Sequence, residues 1–262
     1  METDTNTNTS IYVLSLLSLA IIFLIVKGYT AQFSEKQYLL NVYMHVLLTI
    51  IVWAVGYLLI KKNSDKIEKI FGDACGWLQI MALIGILVLV FVSIYMVQKS
   101  ETIAGRNLWW IAFIVSMGFI AYPIIARAEH RKVFWSTCIT LIAILVSLSS
   151  LAYFDKTRRF LGWGEGLVMI LLGLIIFEVI DLIVTQDFTL KSVMRRQKIY
   201  AWITIVLFSG FVLYDTQKLM EKAKEFMMKI SSGQSINPNY PADSMNLFLD
   251  IVNLFSSISR VQ

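Results

Sequence analysis

Residues Gly210–Val261 read GFVLYDTQKLMEKAKEFMMKISSGQSINPNYPADSMNLFLDIVNLFSSISRV. Two acids, Asp215 in LYDTQ and Asp250 in LFLDIVNLF, each lie inside a strongly apolar helical pattern. An ionised carboxylate among Leu, Phe, Val and Ile is costly in hydrocarbon, so such residues face a partner charge or a water-filled path. The stretch therefore reads as two helices joined by a hydrophilic turn, and as the place to look for function. Asp250 lies near the middle of Ser244–Val261, which at about eighteen residues and ~1.5 Å rise per residue is the shortest tolerable crossing. Asn246 and Asn253, at i−4 and i+3, add polar atoms to the same stripe, which should turn away from lipid. Asp215 closes the apolar run that begins at Ile199. Lys218, Glu221 and Lys222 follow it at helical spacing, so a contact of Asp215 with Lys218 or Lys222 is the structural alternative to an intramembrane site.

Outward from this hairpin the chain keeps the same character. Its 262 residues are 57% hydrophobic and 16% charged, with a mean hydropathy of +0.69. That balance belongs to an all-α polytopic membrane protein and leaves nothing for a separate soluble domain. The net charge of +5 comes from Lys and Arg gathered in short loops, a distribution that bilayer insertion explains without a nucleic-acid partner. Cys75 and Cys138 are isolated within apolar runs and read as buried small residues.

Eight apolar segments follow in order. Ile11–Val26 is slightly short and is expected to be an added N-terminal crossing, so residues 1–37 form an appendage to a seven-helix domain over 38–262. Tyr38–Ile60 carries His45, which reads as a hydrogen-bonded packing residue with pH sensing as the alternative. Ala74–Val97 and Leu108–Ala126 come next, the second opened by Trp109 and Trp110 at an expected aromatic belt and kinked at Pro123. Val133–Tyr153 bears Ser136, Thr137, Thr140, Ser147, Ser149 and Ser150, small hydroxyl residues suited to close helix packing. Leu161–Val184 ends with Glu178 and Asp181 on one face, read as interfacial, with a second acidic site as the alternative. The basic residues divide almost evenly between the two sets of loops, so the positive-inside rule gives no orientation.

The blocks Gly210-Phe211-Val212-Leu213-Tyr214-Asp215-Thr216-Gln217 and Leu247-Phe248-Leu249-Asp250-Ile251-Val252-Asn253-Leu254-Phe255, in that order around a hydrophilic loop, resemble the Bax inhibitor-1 family, the transmembrane Bax inhibitor motif proteins. Asn41-Val42-Tyr43 and the passage through Lys156-Thr157-Arg158-Arg159-Phe160-Leu161-Gly162 resemble corresponding family segments. Tyr240-Pro241 leading to Ser244-Met245 is similar to the family's mitochondrial branch, although METDTNTNTS lacks a basic presequence. The resemblance implies a seven-helix, channel-like fold. It also implies a pH-sensitive calcium leak from intracellular stores and suppression of cell death, with cell-death regulatory membrane proteins as partners. The endoplasmic reticulum or another intracellular membrane is implied, the mitochondrial inner membrane included. Calcium would be the permeant ion, with no cofactor. In bacterial relatives an acid in the penultimate helix pairs with one in the last; these map onto Asp215 and Asp250, which are also the candidate calcium contacts. The family's arginine in its second core helix has no counterpart in Ala74–Val97, where Gln79 is the polar residue.

Two carboxylates close together in a partly wet, low-dielectric site cannot both ionise cheaply, so the pair is expected to share a proton and to separate when fully ionised. Other classes are a non-conducting scaffold acting through partners, and a proton-coupled transporter using Glu178 and Asp181 as a relay. An enzyme is not expected, because no GxSxG, HExxH or phosphate-binding Gly loop occurs.

Overall fold

The computed structural model describes residues 2–30, 33–63, 76–184 and 190–262. Cys75 lies outside them, and the side chain of Gln79 is likewise not among those described. The elements are α1 Glu2–Thr30, α2 Glu35–Lys62, α3 Gly76–Lys99, α4 Ile103–His130, α5 Phe134–Phe154, a 3-10 turn Arg159–Trp163, α6 Gly164–Val184, α7 Leu190–Ser231 and α8 Tyr240–Val261. The fold is all-helical, with no strand among the described residues.

Each apolar run becomes a helix because hydrocarbon leaves the backbone no partner but itself. Helices α1, α2, α4, α7 and α8 also overrun their apolar segments, since the flanking polar residues can continue the hydrogen-bond ladder in water. Among the described residues seven helices are long and apolar enough to cross a membrane, α1 through α5, the 3-10 turn with α6, and α7. Their outer faces are apolar, with Ile183 77%, Trp135 76% and Val206 72% exposed, the inverse of a water-soluble surface. Helix α8 lies outside that set, and its polar residues are shielded by protein instead. Asp243, Ser244, Asp250, Ser256, Ser257 and Ser259 are all buried. At 22 residues it is about 33 Å long, long enough for the expected crossing by length alone.

The chain forms two compact units, one of Met1–Ile125 with Phe226–Phe248 and the other of Ala126–Glu225 with Leu249–Gln262. In the first, α1 packs on α2, and the Ser34 hydroxyl caps α2 by accepting from the Gln37 N–H at 3.1 Å, satisfying an orphan donor of the first turn. The linker before α8 is pinned to the α3–α4 turn. Arg106 donates to the Asn237 side chain at 2.8 Å and to the Ser100 carbonyl at 2.8 Å, while Asn239 donates to the Val97 carbonyl at 2.9 Å. Trp110 is not part of an aromatic belt. It is 6% exposed, because its ring packs edge-on to His45 of α2, with centroids 5.2 Å apart. Helix α4 also continues through Pro123.

In the second unit the Ser/Thr series of α5 acts in packing. Ser136 and Thr137 donate to the Gln262 side-chain oxygen at 2.7 and 3.0 Å, and Arg131 donates to the Ser259 carbonyl at 2.9 Å. A cation on the last carbonyls of α8 also complements its dipole. Helices α6 and α7 approach closely through glycine. A β-carbon on Gly210 would lie 2.8 Å from Leu167 Cδ2, and one on Gly164 would lie 2.6 Å from the Tyr214 ring. Small residues at such crossings are what lets membrane helices touch.

Candidate functional site

Helix α7 begins nine residues before Ile199, at Leu190, and runs 42 residues. Asp215 is therefore well inside a helix and not at its end. It is half-buried, and the second unit brings it within side-chain hydrogen-bonding reach of Asp250. Asp250 is 4% exposed, and its Oδ2 has no hydrogen-bond partner. A buried acceptor left open in this way costs about 1–3 kcal/mol, so it persists where a proton, water or ion completes it.

The flanking asparagines do not complete it. Asn246 is exposed, although helical spacing places it near Asp250. Asn253 is half-buried and donates to the Leu249 carbonyl of its own helix at 2.8 Å. Lys218 lies with its ammonium 5.3 Å from the Tyr214 ring centroid, a cation–π contact.

Gln217, two residues after Asp215, is fully buried and ties α7 to the turn after α5. Its oxygen accepts from the Phe160 N–H at 2.9 Å, and its amide donates to the Asp155 carboxylate at 3.1 Å and the Ala152 carbonyl at 3.4 Å. Asp155 also accepts from the Thr157 hydroxyl at 2.6 Å and the Arg159 N–H at 3.1 Å. Next to this knot Arg158, in the left-handed region at φ 53°, pairs with Glu221 at 2.6 Å. Asp155 sits outside the spans, and the Thr157 hydroxyl chiefly holds its carboxyl below the usual range against the opposing effect of burial. A depressed acid stabilises the fold fully above its unfolded pKa, ~3.9, and loses that contribution as pH falls through the folded value. Thr157→Val is expected to raise the pH at which acid unfolding begins, read as an upward shift of the acid midpoint of the helical circular-dichroism signal.

The remaining candidates fall elsewhere. Asp181 pairs with Arg196 at 3.4 Å and is bonded to the Tyr200 hydroxyl, while Glu178 is exposed. Asp181 is thus engaged by a cation and a hydroxyl of α7, while Glu178 faces outward. His45 is 1% exposed in the first unit, and its Nδ1–H donates to the Asn41 carbonyl at 2.7 Å; a carbonyl can only accept, which fixes that nitrogen as the protonated one.

The same unit holds a buried polar cluster that periodicity does not single out. The Tyr38 hydroxyl donates to Asp243, and the Tyr38 and His45 rings lie 5.3 and 6.0 Å from Tyr240. Asp243 precedes Asp250 by seven residues, two helical turns, and so shares its face of α8. That spacing was the available signal.

Among the described residues no group of three or more His, Cys, Asp or Glu side chains could hold a metal ion.

Comparison with known proteins supplies the family. The family described as Inhibitor of apoptosis-promoting Bax1 matches residues 35–261, leaving α1 outside. The chain is 26% identical over 180 residues to the inner membrane protein YbhL of Escherichia coli strain K12, spanning 67% of this chain and 70% of that protein. YbhL of Escherichia coli O6:H1 matches to the same extent, 26% over 180 residues. With the match running from the start of α2 to the end of α8, the chain belongs to the Bax inhibitor-1 family and is an integral, multi-pass membrane protein of it.

Proposed function

We propose that the protein is a pH-sensitive cation leak, with calcium as its ion, residing in an intracellular membrane and restraining cell death through membrane partners there. The observation that supports this reading is the meeting of Asp215 and Asp250 in one unit, with one carboxylate oxygen of Asp250 buried and unpartnered. Sharing one proton, the two carboxyl groups hold α7 and α8 together through a carboxyl–carboxylate bond. Losing it, they repel, draw water to Asp250 and offer hard oxygens to a passing cation.

Calcium flux into dye-loaded liposomes tests it. The wild-type protein is expected to change flux by up to about tenfold per pH unit, the limit for a single shared proton, and Asp250→Asn to conduct without that dependence. Equal, pH-independent flux from both proteins would remove the gating role. No flux from either would favour a scaffold in which the acids only fix helix packing.

A further inference from the structure

The second unit carries an apolar groove that the carboxylate pair does not use. Its volume is about 750 Å³, and it runs between the 3-10 turn with the start of α6 and the facing side of α7, lined by Gly162, Trp163, Gly166, Trp202, Val206 and Gly210 among others. That volume is the size of a small-molecule site. Trp163, Trp202 and Val206 are 47%, 57% and 72% exposed at it, so the groove opens outward. Both walls belong to membrane-crossing segments, Arg159–Asp181 and Ser192–Ser231, and the medium in front of it is therefore lipid.

Two of its glycines have no internal reason to be glycine. At Gly162 and Gly166 an added β-carbon would meet nothing within 4 Å, unlike Gly210, whose β-carbon would meet Leu167. A glycine inside a helix costs roughly 0.5–1 kcal/mol relative to alanine, so these positions hold a hollow open at the expense of stability. Along α7 the groove extends from Trp202 to Gly210, about 12 Å and most of the ~15 Å hydrocarbon depth of one leaflet.

One end of the hollow is positively charged. Lys156 is exposed, and the Arg159 side chain, three residues ahead of Gly162, is 72% exposed. Arg159 lies 3.6 Å from Asp155, but Asp155 has its own bonds to Thr157 and Gln217, leaving most of the guanidinium fork for another anion. An apolar slot of leaflet depth with exposed cations at its mouth complements an amphiphile with an anionic head. We propose that the groove binds an acyl chain of one anionic phospholipid, with its phosphate held by Arg159 and Lys156.

The full chain, purified in mild detergent and incubated with vesicles of phosphatidylglycerol or phosphatidylcholine, is re-isolated and its retained lipid measured by native mass spectrometry. The wild-type protein is expected to keep phosphatidylglycerol about tenfold better than phosphatidylcholine, a difference of about 1.4 kcal/mol. Gly166→Trp fills the hollow without meeting protein atoms near its β-carbon and is expected to abolish retention. Val206→Trp fills it from the opposite wall and serves if the first variant fails to fold. Lys156→Gln with Arg159→Gln is expected to equalise the two lipids while retaining both. Undiminished retention in a folded filling variant overturns the proposal, as does equal retention of the two lipids by wild type, or their displacement by cholesterol.

Discussion

Gln217→Leu is expected to lower the free energy of unfolding by about 2–4 kcal/mol, the largest loss from one polar side chain in the second unit. The leucine fills the space but strands the Phe160 N–H and removes the amide from Asp155 and from the Ala152 carbonyl. Three contacts that fasten the α5–α6 connection to α7 disappear together, in a site with no exposure to water at Gln217. Gln217→Glu discriminates between volume and hydrogen bonding. Its carboxylate could still accept from Phe160 but would face Asp155 where a donor stood, so it should be no better than leucine. Reversible unfolding in mixed micelles measures both, and wild-type stability in the glutamate variant would show that the amide contributes nothing.

Gly164→Val comes next in size. The β-carbon would fall 2.6 Å from Cε2 and Cζ of Tyr214 and 2.9 Å from its hydroxyl, so a whole aromatic ring has to move. Overpacking of this kind costs about 1–3 kcal/mol, and β-branching adds atoms that α6 cannot turn away from α7. Tyr214 immediately precedes Asp215, so the displaced ring should also alter flux and its pH dependence. Removing the ring tests the cause: Gly164→Val with Tyr214→Ala should be less damaging than the sum of the two, by a coupling of about 0.5–3 kcal/mol. Strict additivity would locate the damage elsewhere.

What could be read directly from the residues was governed by short-range physics. The eight apolar runs each become a helix because hydrocarbon enforces internal hydrogen bonding, and the burial of Asp250 follows from its place in the middle of a run. The meeting of Asp215 with Asp250 needed the family resemblance, since the apolar run alone placed Asp215 at a helix end, nine residues off the true start of α7. Asn246 shows the limit of a helical wheel. Spacing gives its angle relative to Asp250, but whether a neighbour covers that angle is a tertiary matter, and here it is exposed. Tyr38 and Asp243 are 205 residues apart in sequence, and Gln217 reaches partners 57 to 65 residues away. No local pattern encodes such pairings, so residues that look like an unremarkable tyrosine, a helix-start acid and a motif glutamine turn out to be buried anchors.

Helix α7, unbroken for 42 residues, is about 63 Å long, twice the ~30 Å hydrocarbon thickness. A rod of that length cannot be contained by the bilayer, so one stretch stands in water while another is gripped by lipid and protein. Its last turns carry Lys218, Glu221, Lys222, Lys224, Glu225 and Lys229, a charged handle in rigid register with Asp215. Continuous backbone hydrogen bonding resists local unwinding, so torque applied to that handle by a docking protein, an adsorbed lipid surface or a change of salt would be delivered to the carboxylate with little loss. On the proposed function, that acid would then answer to mechanical events outside the membrane as well as to protons.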